Sequence, residues 1–340
     1  MPARRIAWLV YGSLDQVSGG YIYDRLVVEQ LRERGDEVTV LSLVPGQKPA
    51  LPSARDFDCL VGDELCFRQL LPIFRDAEPG LVRVLLIHHL TAWELAPGAE
   101  RDAILELERS VIQLADARIA TSFVTAERLQ REGLAHAVHV AEPGADRLAS
   151  PSARAEPGGA PLRLLFIGNL IPRKQVLELV QGFARLADDR AELILVGAEL
   201  DAAYAAELRR AAQLPGAAGR VYLLGSLESP GVAAELERAD ALVLPSRLEG
   251  YGMVLSEALW AGVPVIAARV GAAVQLIEAT DAGLLHDPDQ PQALFENLNH
   301  FIENAALRAR LRQAARRARA VLPRWRATAL SVRAALPQSR

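Results

Sequence analysis

Cysteine is almost missing from this chain: Cys59 and Cys66 are the two among 340 residues. That excludes a disulfide framework and makes a reducing cytoplasm the expected home. Long apolar runs are missing too; none approaches the ~18 residues that a membrane span needs. The net charge of -4 is small and of the wrong sign for a general nucleic-acid binder. The N-terminal stretch has two arginines and a short apolar run but no cleavage-like segment, so no signal peptide is expected. No G-x-G-x-x-G fingerprint occurs, which leaves a nicotinamide or flavin site unsupported. What is present is an ordinary globular composition, 51% hydrophobic and 24% charged, in a chain longer than one compact core usually accommodates. Two domains are expected.

Apolar strands at 6–11, 37–43, 57–61, 82–87, 117–120 and 137–141 alternate with helical patterns at 21–34, 65–75, 101–115 and 123–131. A second series has strands at 162–167, 193–196, 221–224, 241–244 and 263–267, with helices at 176–186, 202–213 and 253–260. Such alternation predicts an α/β protein, each domain a parallel sheet covered by helices on both faces. The stretch 143–161 is rich in Pro, Gly, Ala and Ser and reads as interdomain linker. The domains are set at 1–150 and 162–321, with 151–161 between them.

The most informative stretch is 245–267, PSRLEGYGMVLSEALWAGVPVIA. A buried strand runs into a glycine-bearing loop, 247–252, then a short helix stopped by Gly262, then a second buried strand. Such a βαβ unit binds ligands at the carboxyl ends of its strands, where helix N-termini offer free N–H groups. Glu249 and Glu257 bracket the helix start beside Gly250, Tyr251 and Gly252. The pair suits a polyhydroxylated ligand carrying an anionic group.

Other candidates have a bland reading beside the functional one. Gly19 and Gly20 are either a tight strand-to-helix turn or an anion- or sugar-contacting loop. His88 and His89 follow a strand directly; they are either satisfied core or capping residues or ligand-facing imidazoles. A metal is poorly supported there, since no ligand stands at i+3 or i+4 and Glu94 looks isolated. Asp63 and Glu64 read as a helix cap that could line the same cleft. Arg173 and Lys174 at a helix start have the electrostatics of a phosphate site, each charge-assisted bond contributing roughly 1.5–3 kcal/mol; the alternative is a solvated basic turn. After Glu303 the chain has ten arginines and no acidic residue. They form either a solvated helix face or a patch for peripheral contact with an anionic membrane at its inner face, worth roughly 1 kcal/mol per residue.

With Glu249 and Glu257 eight positions apart, the chain resembles glycosyltransferase family 4, the retaining enzymes of the GT-B fold. The resemblance rests on GNLIPRK (168–174), ILVG (194–197), VYLLGSL (221–227), the E-x7-E element within 235–267 and AGLLHDP (282–288). In the first half, Gly19-Gly20, His88-His89, TSFVTAERL (121–129) and PGAD (143–146) fall where the family has counterparts. It implies two Rossmann-like domains facing each other across a cleft, a nucleotide-diphosphate sugar as co-substrate, and no cofactor or metal. The first domain takes the acceptor side, a carbohydrate or lipid-linked molecule, and the helix within 322–340 returns to pack on it with Trp325 as anchor.

By that resemblance Lys174 binds the donor phosphates, Glu249 lies by the sugar hydroxyls and Glu257 takes the ribose hydroxyls. Gly250, Tyr251 and Gly252 face the sugar and diphosphate, Gly19 and Gly20 close on the donor, and His88 or His89 lies near the sugar. The sequence departs from the family at Asn169, where an arginine is usual, at Gln175, usually glycine, and at Gln275, where a glutamate is common; Arg173 could replace the charge missing at Asn169. No Asp-x-Asp pair is expected beside a strand, in keeping with metal independence. The function implied is retaining glycosyl transfer. The alternatives are a nucleotide-sugar 2-epimerase or hydrolase of the same fold, and a non-catalytic sugar- or nucleotide-binding subunit.

Overall fold

A computed structural model describes residues 3–47, 50–148, 161–186 and 190–337. The expected linker, 151–161, lies outside the described residues except for its last position. The chain divides into two compact units, Met1–Gly144 with Pro323–Arg340, and Ala145–Leu322. The division falls before the expected linker because Ala145 and Leu148 are already buried in the second core.

The first unit runs β1 (Arg5–Tyr11), α1 (Gly19–Glu33), β2 (Glu37–Leu43), β3 (Cys59–Asp63), α2 (Phe67–Arg75), β4 (Val82–Ile87), α3 (Ala99–Leu114), β5 (Ala117–Ala120), α4 (Phe123–Arg131) and β6 (His139–Val140). The second runs β7 (Leu162–Ile167), α5 (Val176–Ala184), β8 (Ala191–Val196), α6 (Ala202–Ala211), β9 (Val221–Gly225), α7 (Ser229–Arg238), β10 (Ala241–Leu244), α8 (Met253–Trp260), β11 (Val265–Ala268), α9 (Ala273–Thr280), β12 (Gly283–His286), α10 (Pro291–Glu303) and α11 (Ala305–Ala318). Helix α12 (Trp325–Ala335) then belongs to the first unit again.

Each unit holds a six-stranded parallel sheet, in the orders β2-β1-β3-β4-β5-β6 and β12-β11-β10-β7-β8-β9. Strand order reverses beside β1 in the first sheet and between β7 and β10 in the second. Outside the strand ends at such a reversal the flanking helices diverge, leaving the crevice where open α/β sheets bind ligands. The continuous apolar strands are explained by burial on both faces: β10 and β11 are buried throughout. One difference from the sequence reading concerns Gly19 and Gly20. They form the first turn of α1, after Ser18 in extended conformation, instead of a loop, and neither has positive φ.

Helix α12 is fastened to the first unit by polar contacts. Arg333 grips both oxygens of Asp36 at 2.7 and 3.0 Å, Thr328 donates to the Glu142 carbonyl, and Ser331 donates to the Val140 carbonyl. Trp325 is buried edge-on to Tyr23 with ring centroids 5.6 Å apart. Gly144 lies against the start of this helix, where an added Cβ would come within 2.1 Å of the Trp325 nitrogen. Any side chain at 144 would therefore displace the helix.

Candidate functional site

In the second unit, the loops after β7 and β10 meet at the reversal of strand order. After β7 the chain passes Gly168 and Asn169 into a 3-10 turn, Pro172–Lys174, and Gln175 then takes a left-handed conformation (φ 51°) before α5 begins. The basic pair thus sits in a turn set off from α5 by a break, not in the first turn of that helix as the sequence suggested. After β10 the loop carries Glu249, and Gly252 (φ 88°) is the N-cap of α8. Gly252 has no side chain to cap α8, and although the Leu255 N–H donates to the Gly252 carbonyl, the Met253 and Val254 N–H groups at its start can face an anion.

The two loops are tied together by Lys174, whose Nζ donates to Glu249 Oε1 at 2.5 Å with both side chains largely buried. Arg173 Nη1 donates to the Leu248 carbonyl at 2.6 Å, and the Arg247 N–H returns a bond to the Arg173 carbonyl. Burial alone would push the Glu249 carboxyl up; the charges of Lys174 and Arg173 overcome it and hold the group below the usual carboxylate range. Arg173 therefore acts on the same site even though Asn169 occupies the position where the family has arginine. Asn169 uses its carbonyl to accept from the Ile171 N–H. Glycines leave this corner room: a Cβ on Gly271 would meet the Glu249 Cβ at 2.8 Å, and one on Gly197 would strike the Gly168 carbonyl.

Glu257 lies in the second turn of α8, buried, with both oxygens held by Arg147: Nε to Oε1 at 2.7 Å and Nη2 to Oε2 at 3.0 Å. Arg147 Nη1 also donates to Ser229 Oγ at 2.9 Å, at the first residue of α7. The sequence reading missed Arg147, although it stands directly after the PGAD segment. A buried glutamate needs a partner, and that requirement was the available signal. Composition also points to Lys174: Lys48 and Lys174 are the only lysines among 38 basic residues. In a chain that otherwise uses arginine, a lysine marks a place for a compact point charge.

An Asp-x-Asp pair does stand beside a strand, contrary to expectation: Asp287 and Asp289 follow β12 directly. It is used as a turn. Asp287 accepts from the Asp289 N–H and from Gln290 Nε2, and Asp289 is exposed.

In the first unit a buried polar cluster sits at the other strand reversal. Asp63 accepts from the Leu65 N–H, as the capping reading expected, and Glu64 accepts from the His88 N–H at 2.8 Å. His88 Nε2 pairs with Asp24 Oδ1 at 3.3 Å, and Trp8 Nε1–H donates to Asp24 Oδ2 at 3.0 Å. Burial would lower the His88 pKa, but the bond to Asp24 and the charges of Asp63, Asp24 and Glu64 outweigh it and raise it to about 9. Gly20 packs on the same ring, where an added Cβ would lie 3.3 Å from Cδ2. His89 is not part of this cluster; it pairs with Glu94 at 2.5 Å, so Glu94 is not isolated. Atoms of Asp24, Asp63 and His88 lie within 4.8 Å of one another, a spacing a cation could use only by displacing the proton shared by Nε2 and Oδ1.

Residues 153–318 match the family model described as glycosyl transferases group 1. D-inositol 3-phosphate glycosyltransferase of Xylanimonas cellulosilytica is 30% identical over 242 residues, which is 66% of this chain and 58% of that protein. The chain thus spans a little over half the length of that curated relative. Sucrose-phosphate synthase from Thermosynechococcus elongatus has the same fold with TM-score 0.81 at 21% identity, covering 97% of both chains. The Anabaena protein HepE in complex with UDP and glucose gives TM-score 0.78 at 17% identity over 97% of this chain and 98% of that one. At such identities the structural likeness speaks for fold alone. Sheet order, motif positions and family match agree: the chain has the GT-B fold, and residues 153–318 carry a group 1 glycosyl transferase domain.

Proposed function

We propose that this protein is a retaining glycosyltransferase moving a sugar from a nucleotide-diphosphate sugar to a carbohydrate, glycolipid or small-metabolite acceptor, without a metal. The observation that carries the reading is the buried Lys174–Glu249 pair beside the uncapped start of α8. Breaking the bond between an anomeric carbon and a diphosphate builds negative charge on the leaving phosphate. Fixed cations and helix N–H groups lower that barrier because they need no reorganisation at the moment of reaction. Lys174, Arg173 and the first N–H groups of α8 supply them, and the Asp287–Asp289 pair is already used as a turn.

In this reading Lys174 moves its charge from Glu249 to the diphosphate when donor binds, freeing Glu249 to accept from sugar hydroxyls. Glu257, oriented by Arg147, accepts from the ribose hydroxyls. Glu249 is paired with a cation and serves binding better than in-line attack. Front-face displacement, with the leaving phosphate assisting deprotonation of the acceptor, is the favoured course. Family members whose names specify glycosyl transfer support the reaction class, and the UDP in the HepE structure supports a nucleotide donor.

Contact with an anionic membrane through the C-terminal arginines has little support. Arg308, Arg310, Arg312, Arg319 and Arg333 are engaged by carbonyls or carboxylates. Among the described residues, no helix is long and apolar enough to cross a membrane.

The test is to incubate the purified protein with UDP-, GDP-, ADP- and dTDP-sugars and follow the anomeric proton by NMR. Slow donor hydrolysis with retained configuration is expected without acceptor, and faster donor consumption, with the sugar passing to the acceptor in retained configuration, when one is present. A C2 epimer as product, or nucleotide binding without turnover under any acceptor, would sink the proposal.

A further inference from the structure

The cluster around His88 has one feature that the transferase reading does not use: three buried carboxylates, Asp24, Asp63 and Glu64, surround a single imidazole. The surroundings can be traced element by element. Strand β1 contributes Trp8, which fixes Asp24 from the far side. Helix α1 contributes Asp24 and Tyr23, whose ring meets the imidazole edge-on at 5.3 Å. The end of β3 and the turn after it contribute Asp63 and Glu64, and α4 contributes Thr125, which donates to the His88 carbonyl at 3.2 Å. Glu108 from α3 lies behind Glu64 and is occupied by the Thr91 and Ala92 N–H groups. Among these residues no cation faces the carboxylates except His88 itself.

This arrangement settles what the exposed atom of the ring can do. Asp24 Oδ2 is an acceptor for Trp8, and a carboxylate has no proton to give, so Nε2 donates to Oδ1. The other ring atom, Nδ1, has no protein partner among the described residues, and the side chain keeps 14% of its surface exposed. With Nε2 committed as a donor, a neutral ring would offer Nδ1 as an acceptor, and only a charged ring offers Nδ1–H.

We propose that Asp24 is a positioning residue that keeps His88 a fixed imidazolium, so that His88 presents a charged Nδ1–H donor to a ligand oxygen and cannot act as a general base. Ring, backbone N–H and backbone carbonyl are all tethered, by Asp24, Glu64 and Thr125, so the donor is preorganised. Its complement is an electron-rich oxygen, that of a hydroxyl, carboxylate or phosphate group at the carboxyl end of the first sheet. Burial drives the Asp63 carboxyl up to about 7 and raises Glu64 well above the usual carboxylate range, so protons as well as His88 help neutralise the cluster. The charge state of His88 stands apart from the transferase reading; only its use against a sugar or acceptor rests on that reading.

The experiment is NMR of the full-length protein with 15N-labelled histidine, the His88 signals being assigned by their loss in His88→Gln. In the wild type both ring nitrogens should be protonated at pH 7.5, with a titration midpoint near 9. Asp24→Asn should lower that midpoint by at least about one pH unit, and Asp24→Glu should restore it in part. Should the Asp24 variants fail to fold, Asp63→Asn provides a second variant with the same sign. A neutral His88 in the wild type at pH 7.5 overturns the proposal by itself. So does a midpoint unmoved in a folded Asp24→Asn, or stoichiometric Zn2+ that strips the Nε2 proton at that pH. A charged His88 in a protein without transferase activity would instead refute the transferase reading and leave this one standing.

Discussion

Arg147 closes a two-pronged grip on Glu257, with Nε and Nη2 2.7 and 3.0 Å from separate carboxylate oxygens and both side chains almost out of solvent. The planar fork fixes the carboxylate plane and so decides which lone pairs remain for a ligand. Replacing Arg147 by Ala leaves a buried carboxylate unpaired, a loss on the order of 3–5 kcal/mol. Arg147→Ala should lower the Tm and weaken nucleotide binding at least about tenfold, whereas Arg147→Lys should keep more stability than binding because a point charge cannot hold the plane. A double variant, Arg147→Met with Glu257→Gln, should recover stability without recovering binding. Calorimetry on the set checks both. Nucleotide binding unchanged in Arg147→Ala would remove the orienting role.

Lys174→Ala removes the compact cation that this site draws from a chain with one other lysine. Turnover should fall at least about tenfold, with the fold intact by circular dichroism. Glu257→Gln should do the same, since the neutral amide offers the ribose one acceptor oxygen in place of two. Lys174→Arg should not restore full turnover, because a planar guanidinium does not reproduce the compact point charge that pairs with Glu249. Unchanged rates in either single variant would overturn the site assignment.

Strands β4, β5, β7 and β10 and helices α4 and α8 stood at their observed bounds because continuous apolar runs and Gly or Pro punctuation define them. Glu249 and Glu257 stood out by their spacing, and Lys174 by its place beside Arg173 in a basic turn. Three things did not. Gly19 and Gly20 read as loop because glycine pairs break helices on propensity, yet they form the first turn of α1 with Gly20 packed on the His88 ring, where an added Cβ would lie 3.3 Å from Cδ2. Arg147 was hidden because its partner is 110 positions away. The third is the Asp24–His88 contact, which joins residues 64 apart through the sheet. Contacts of that range are set by strand order, which local pattern does not encode.

The two units should respond to pH in opposite directions. His88 is raised from 6.5 to about 9, so its contribution is complete below pH 6.5 and is lost as pH climbs to 9; the raised Asp63, at about 7, acts with the same sign. His286 is the reverse case. Burial lowers it to about 4, so the unfolded chain takes up a proton first, and stability is lost as pH falls from 6.5 to 4. Each histidine accounts for an effect on the order of 3 kcal/mol. Hydrogen exchange read by mass spectrometry should show peptides of 5–131 opening more readily at pH 9, and peptides of 162–318 opening more readily at pH 4.5. Uniform protection of both units across that range would contradict the assignment.

Gln175 provides the last test, because it stands where the family usually has glycine and still adopts the conformation glycine would take, φ 51° and ψ 37°. A left-handed residue with a Cβ costs about 1–2 kcal/mol. Here the cost is offset by a buried side chain whose Nε2 donates to the Pro288 carbonyl at 3.3 Å, a long bond worth about 0.5–1 kcal/mol. Gln175→Gly removes strain and bond together and should leave stability within about 1 kcal/mol of the wild type. Gln175→Ala keeps the strain and loses the bond, so it should fall below the glycine variant by about 1 kcal/mol. Turnover should follow the same order, since the break at 175 sets the 3-10 turn that holds Lys174 apart from α5. Urea unfolding of the three proteins gives the ranking. An alanine variant as stable as the glycine variant would mean that the left-handed turn is not what this position requires, and that Lys174 is held in place by its pair with Glu249 alone.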